Sequence, residues 1–359
     1  MTSDEIAAHR LHNQGLATAP FASAEAVVRW HVAMQSQEYA YAKWSIGERA
    51  AELNEAAVDR AVAEGSILRT HVLRPTWHFV AREDLRWLME LSGPRVRAFN
   101  APYYLRMGMD DAYLARANDL LGRALEGGKQ LTRRELAEVL RREGMAGDGQ
   151  WLAYVMMRAE LDLVVCSGAP RGKEQTYALF DERVPRAEPR DADESLAELT
   201  RRYFVTRGPA TVKDYRWWSG LTAAQAKRGL DLVADGLERV EVDGRVYWLA
   251  PAEAPPREPS PTAHLLQAYD EYGIAYSESR GVMDRAGLSK VVTGRQATFM
   301  HALVVDGQLA GHWRRTASAK EMTVEVQPSR KLSTRERKAI ERVVSRYGRF
   351  AGLRASLLA

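Results

Sequence analysis

Two carboxamides stand two positions apart in Gln35-Ser36-Gln37. Each offers an acceptor and two donors without carrying charge, so the pair can hold neighbouring polar groups in fixed orientation. The chain leading into them reads as a helix capped by Ser23, with Val27, Trp30 and Met34 on one buried stripe. If that helix continued, Gln37 would fall on the stripe, and a buried amide without partners costs about 1 to 3 kcal/mol. Such an amide needs a structural partner or a cavity to face. A helix would also turn Gln35 and Gln37 about 200° apart. An extended segment beginning near Met34 instead puts Gln35, Gln37 and Tyr39 on one side, and this is the geometry we expect. Taken alone, the pair is also compatible with two glutamines that cap or satisfy a core.

A second polar row lies in Val72-Leu73-Arg74-Pro75-Thr76-Trp77-His78-Phe79-Val80, where strand alternation would place Arg74, Thr76 and His78 on one face. Pro75 restricts such a strand to an edge or a bulge, and the row could equally be a solvated hairpin face. Other chemistry finds little support. The phosphate loop, the dinucleotide glycine motif, the nucleophile elbow and the H-E-x-x-H zinc motif are all missing. His9 and His12 lack a third ligand at metal spacing. Asp270-Glu271 could serve a metal nuclease, but paired acids near a strand end are usually solvated or salt-bridged. We therefore expect neither metal nor cofactor.

The elements that must position these residues suit a chain of 359 residues, 46% hydrophobic and 27% charged, which has room for two or three compact units. One cysteine, Cys166 in an apolar run, excludes a disulfide framework and predicts a core thiol in a reducing compartment. The Met1-Thr2-Ser3-Asp4-Glu5 start and the lack of a long apolar run predict a cytoplasmic protein. Of the 51 basic residues 12 lie between Ala310 and Ala359, against 4 acidic ones, so a net charge of +4 conceals a basic C-terminal segment. That segment is either a solvated helix face or a surface for an acidic partner such as nucleic acid.

Three segments repeat the order helix, helix, helix, hairpin. The first runs from a helix at Asp4 to His12 to a strand pair between Leu68 and Val80. The second contains a capping box at Thr132 and Glu135, a helix from Gln150 to Leu161 and strands at Val164 and at Gln175 to Phe180. The third has helices near Glu194 and after Thr211 and Thr222, then a hairpin turning at Asp243-Gly244. This is the pattern of the winged helix, which handles DNA or serves as a protein-interaction scaffold. Pro251, Pro255, Pro256, Pro259 and Pro261 mark a linker. Strands over His264 to Tyr276, Thr298 to Trp313 and Met322 to Val326 follow, with a basic helix from Ser333 to Phe350. The expected fold is α+β, with winged helices over 1–81, 82–188 and 189–252 and a mixed α/β segment over 262–359.

The glutamine motif, Arg74-Pro75-Thr76-Trp77-His78, Asp270-Glu271-Tyr272 and Val305-Asp306-Gly307-Gln308-Leu309-Ala310-Gly311-His312-Trp313-Arg314 together resemble the AlkZ-like and YcaQ-like tandem winged-helix DNA glycosylases. The resemblance extends from about residue 4 to 350. With Gln37 the chain looks like the AlkZ branch, since YcaQ-like members have Asp there; Ser36 stands where the family has an apolar residue. The resemblance implies an enzyme acting on double-stranded DNA that removes N7- or N3-alkylated purines and bulky or cross-linking adducts; no lysine nucleophile stands out beside the motif, so a monofunctional enzyme is expected, working as a monomer. Gln35 and Gln37 would be catalytic, and Tyr39, Arg74, Thr76, His78, Arg314 and Arg315 would contact DNA. An alkylated purine already carries positive charge, so it can leave unprotonated. Two amides then suffice to orient water and support the oxocarbenium-like sugar. Without a carboxylate base, such a site should be confined to activated leaving groups. The rival reading is a noncatalytic DNA-binding regulator.

Overall fold

A computed structural model of the protein describes residues 1–188, 190–251, 260–288 and 301–358. The fold is α+β and divides into two compact units. One comprises Met1–Val58, Ala197–Trp218 and Thr222–Ala359; the other comprises Asp59–Leu196 and Ser219–Leu221. Pro255, Pro256 and Pro259 of the expected linker, and the expected strand start at Thr298, lie outside the described residues. No helix among the described residues is long and apolar enough to cross a membrane.

In the unit built on Asp59–Leu196, helices Asp111–Leu125, Arg133–Arg142 and Gly149–Leu161 close over a core that includes Leu114, Leu121, Leu136, Leu140 and Val155. Asp110, Thr132 and Asp148 cap the three helices through their side chains, and Thr132 with Glu135 forms the expected capping box. Strand Thr176–Leu179 lies between Leu131–Thr132 and Val165–Ser167 in an antiparallel sheet. Ile67–His71 pairs antiparallel with Trp77–Ala81. The helix Arg82–Arg106 that follows carries Pro94 and Pro102 inside it, which conceals its length from a sequence reading.

The other unit carries a five-stranded sheet in the order Arg354–Leu358, Glu321–Pro328, Gln308–Ala317, Ala302–Val305, Ala263–Leu266. Only the outermost pair is parallel, and helix Thr334–Ala351 makes its crossover. Both Asp-Gly turns hold the left-handed φ that a tight hairpin demands: 50° and 72° at Asp243 and Gly244, 48° and 74° at Asp306 and Gly307. The strand expected over His264 to Tyr276 ends at Leu266. Asp270 instead caps a single helical turn, Glu271–Ile274, accepting from the Tyr272 N–H at 3.0 Å.

Helix Thr334–Ala351 is docked on helix Tyr39–Gly47. Trp44 stacks on Tyr347 at 4.4 Å, and Arg346 donates to the carbonyls of Gly47, Glu48 and Ala50 at 3.1, 2.8 and 3.1 Å. A Cβ on Gly47 would lie 2.4 Å from the Phe350 ring, so this close approach needs glycine. The helix that opens just after the glutamines is thereby held at its C-terminal half.

Candidate active site

The glutamine segment begins with a forced break. Ser23 caps helix Ala24–His31 through a 3.2 Å bond from the Ala26 N–H, and the helix stops at Val32, whose φ is 66°. A β-branched residue is strained there, so surrounding contacts must hold it. Three polar contacts do so. Arg207 Nη2 donates to the Ala33 carbonyl at 3.0 Å, the Gln35 N–H donates to Glu271 Oε1 at 2.9 Å, and Gln267 Nε2 donates to the Gln35 carbonyl at 3.1 Å. Extended backbone runs over Ala33–Gln35, so it includes Gln35 as expected but stops short of Gln37, and a bend through Gln37 and Glu38 leads into helix Tyr39–Gly47. Gln35 is 6% exposed, Ser36 is fully buried and Gln37 is exposed. Tyr39 opens the helix, so it does not continue the extended alternation with the glutamines.

Asp270 and Glu271 are the anchors behind this segment. Arg207 reaches Glu271 Oε2 through Nη2 at 2.7 Å and Nε at 3.0 Å, and Trp218 Nε1 adds a 2.8 Å bond. Asp270 takes a two-pronged Arg49 at 2.9 and 2.8 Å. Burial pushes the Asp270 carboxyl up, but the Arg49 guanidinium outweighs it and holds the group below its ordinary value. These acids therefore neutralise buried guanidinium groups. Among the described residues, no three His, Cys, Asp or Glu side chains gather as a metal site.

In front of the segment lies a cluster the sequence reading did not find. Glu38 occupies the N-cap position of helix Tyr39–Gly47 without making a side-chain capping bond. Its Oε2 lies 3.5 Å from Nε2 of His301. The His301 ring packs on Tyr41 at 4.1 Å and on Trp313 at 5.1 Å, and Arg315 lies over Tyr41 at 4.7 Å. Arg315 thus joins the surroundings of the glutamine segment. Arg314 faces the other side of its strand, 68% exposed and bonded to Glu325 at 2.7 Å.

The family model described as DNA glycosylase AlkZ-like matches residues 28–350, a span containing the glutamines, their anchors and the Glu38–His301 cluster. The chain belongs to the AlkZ-like DNA glycosylase family. It is accordingly a DNA glycosylase. A similar curated protein is the interstrand DNA cross-link repair glycosylase of Streptomyces sahachiroi, 23% identical over 332 residues and 86% of each chain. Among solved structures, Streptomyces sahachiroi DNA glycosylase AlkZ matches with a TM-score of 0.80 and 21% identity, covering 100% of both chains.

In this AlkZ-like glycosylase, Arg74, Thr76 and His78 belong to the other compact unit, and the expected alternating row does not form there. Strand Ile67–His71 ends early, and Leu73 takes a φ of 63°. The Arg74 N–H donates to the Val72 carbonyl at 2.6 Å and the Thr76 N–H to the Arg74 carbonyl at 2.7 Å. Arg74 and Thr76 therefore lie in a tight connection around Pro75, which has no N–H for a ladder. His78 sits on the next strand, buried, with Nδ1 2.8 Å from the Thr76 carbonyl oxygen.

Proposed function

We propose that this glycosylase hydrolyses the N-glycosidic bond of N7- and N3-alkylated purines in double-stranded DNA, bulky and interstrand cross-linked adducts included. Gln35 and Gln37 are the catalytic amides: their carbonyls orient water and support charge developing at C1′. The observation that carries this reading is the anchoring of the Gln35 backbone by Glu271 and Gln267. An amide that must direct a water needs a backbone that does not drift, because a misplacement of about 1 Å can cost 10²-fold in rate. The similar interstrand DNA cross-link repair glycosylase of Streptomyces sahachiroi supports the larger substrates.

Tyr39, Arg74, Thr76, His78, Arg314 and Arg315 are assigned to DNA contact, with Arg314 exchanging Glu325 for a phosphate. The enzyme works as a monomer without metal. The order helix, strand, helix, helix, strand, strand between Asp111 and Leu179 supports the winged-helix reading of 82–188. The same reading takes 1–81 and 189–252 as the flanking winged helices and 262–359 as the mixed C-terminal segment.

The test is a duplex carrying one N7-methylguanine, followed by alkaline cleavage and mass analysis of the released base. Release of free N7-methylguanine by the unsubstituted protein is expected, with loss of release and retained DNA affinity in Gln35→Ala, Gln37→Ala. Efficient release of uracil would contradict dependence on an activated leaving group. DNA binding with no base release at all is the outcome for a regulator.

A further inference from the structure

We propose that Glu38 is the general base that deprotonates the attacking water, and that His301 is the positioning residue that aims its carboxylate. This rests on the alkylpurine reading above and adds a carboxylate that the two-amide scheme lacks.

The geometry begins with the unused cap. Glu38 stands beside Gln37 at the N-terminus of an anchored helix, where an acidic side chain would ordinarily turn back to bond a backbone N–H. It turns instead toward His301 and stays 40% exposed, within reach of water. His301 can face it in one way only. Its Nδ1 accepts the Ala268 N–H at 3.0 Å, so the neutral ring carries its proton on Nε2, the atom directed at Glu38. Tyr41 and Trp313 pack the ring in place. Burial, then Arg315, pull His301 down to about 4, so near neutral pH the neutral ring presents its Nε2–H to Glu38 across 3.5 Å without neutralising the carboxylate.

The charged and titratable groups facing this pair are Tyr41 on the helix that Glu38 opens, Arg315 on the neighbouring strand and Tyr269 ahead of Asp270. Burial raises Glu38 above its ordinary value, and burial together with the Glu38 charge raises Tyr269. A carboxylate in this state is a stronger base than Asp270, which the buried Arg49 guanidinium holds below its ordinary value. In the reaction the water oxygen forms a bond to C1′ and its proton passes to Glu38. The electron pair of the C1′–N bond goes to the alkylated purine, which leaves neutral, and Glu38 returns the proton to solvent. The leaving base gains no proton, so the requirement for an activated purine persists.

Single-turnover release of N7-methylguanine from duplex is followed between pH 5 and 8 for the unsubstituted protein, Glu38→Gln, His301→Phe and His301→Gln. Glu38→Gln is expected to lose about 10²- to 10⁴-fold in rate, the usual contribution of a general base, with duplex affinity unchanged. His301→Phe removes a donor to the charged form, which raises the Glu38 pKa and moves the acidic limb to higher pH. His301→Gln keeps a donor and an acceptor and restores the limb. A Glu38→Gln rate within threefold of the unsubstituted protein overturns the general base while leaving the alkylpurine reading intact. A slowed His301→Phe with an unmoved limb overturns the positioning role. No release by the unsubstituted protein overturns both the alkylpurine reading and this proposal.

Discussion

Glu271→Gln isolates the charge behind the glutamine segment with almost no change of shape. In the native protein the side chain of Arg207 is 0% exposed and that of Glu271 1%, so neither has water to fall back on. Removing one partner of a buried pair leaves the other charge uncompensated, at a cost of about 3 to 5 kcal/mol. Arg207 keeps the Ala33 carbonyl, Thr206 Oγ1 and the face of Trp218, all neutral, so the lower half of that range is expected. With a urea m-value of about 3 kcal/mol/M, the midpoint falls by about 1 M. Urea titrations read by far-ultraviolet circular dichroism and by tryptophan fluorescence measure this, since Trp218 bonds the substituted group. Arg207→Met should show a similar loss, and the double variant should lose less than the sum by about 2 to 3 kcal/mol. Below the unfolding transition, Glu271→Gln should also slow base release, because the Gln35 N–H loses a charged acceptor. A stability loss under about 1 kcal/mol, or strictly additive losses in the double variant, would refute the assignment of this pair as the anchor.

Three further outcomes follow from the same structure. Gly244→Ala and Gly307→Ala both impose a Cβ on a left-handed turn, at about 1 to 2 kcal/mol each; Gly307→Ala should lose more, because its Cβ meets Tyr272 Oη at 3.0 Å and Ala7 at 3.2 Å whereas that of Gly244 meets nothing, and urea midpoints rank the two. Burial, then Arg49 and Arg207, hold buried His31 well below its ordinary pKa, so the unfolded chain takes up a proton that the native chain refuses. Stability should therefore fall as pH drops below about 6.5, by up to about 1.4 kcal/mol per pH unit, and His31→Gln should flatten that slope in urea titrations at pH 7.5 and 5.5. Burial pushes the Cys166 thiol up to about 12, so a thiol reagent should leave it unmodified in native protein and react on unfolding; rapid native labelling would contradict its core placement.

What could be read from the sequence was local. The Thr132–Glu135 capping box places its cap and its partner three residues apart, and each Asp-Gly turn is complete within two residues. The end of the helix before Gln35 was legible because the alternative put an amide on an apolar stripe. The anchors were not legible, since the Gln35 N–H meets an acid 236 positions away and Arg207 meets the same acid 64 positions away. Periodicity assigns a residue to a face but does not say which distant chain will cover it. Glu38 was hidden for that reason, because only His301, brought in by the sheet, distinguishes it from an ordinary cap. The Arg74 to His78 row failed differently: alternation presumes extended backbone, and a positive φ at Leu73 removes that premise.

The use of charge behind the glutamines and a half-exposed carboxylate in front has a common physical reason. A short strand following a strained Val32 presents main-chain groups that must be paired once buried, and apolar packing cannot supply those bonds. Glu271 and Arg207 each bond the strand and each other, so the pair satisfies Gln35 N–H and Ala33 C=O while cancelling its own charge. Replacing both by apolar residues of similar volume would remove the desolvation cost of the ions but leave these two backbone groups unpaired, at about 1 to 3 kcal/mol each. On the proposed reaction, neutrality behind the segment also matters for chemistry, since a net positive charge there would oppose a cationic purine and an oxocarbenium-like sugar. The arrangement thus keeps the segment rigid without an uncompensated charge behind it, and on the proposed chemistry the Glu38 carboxylate then supplies from the front the sign that a developing cation requires.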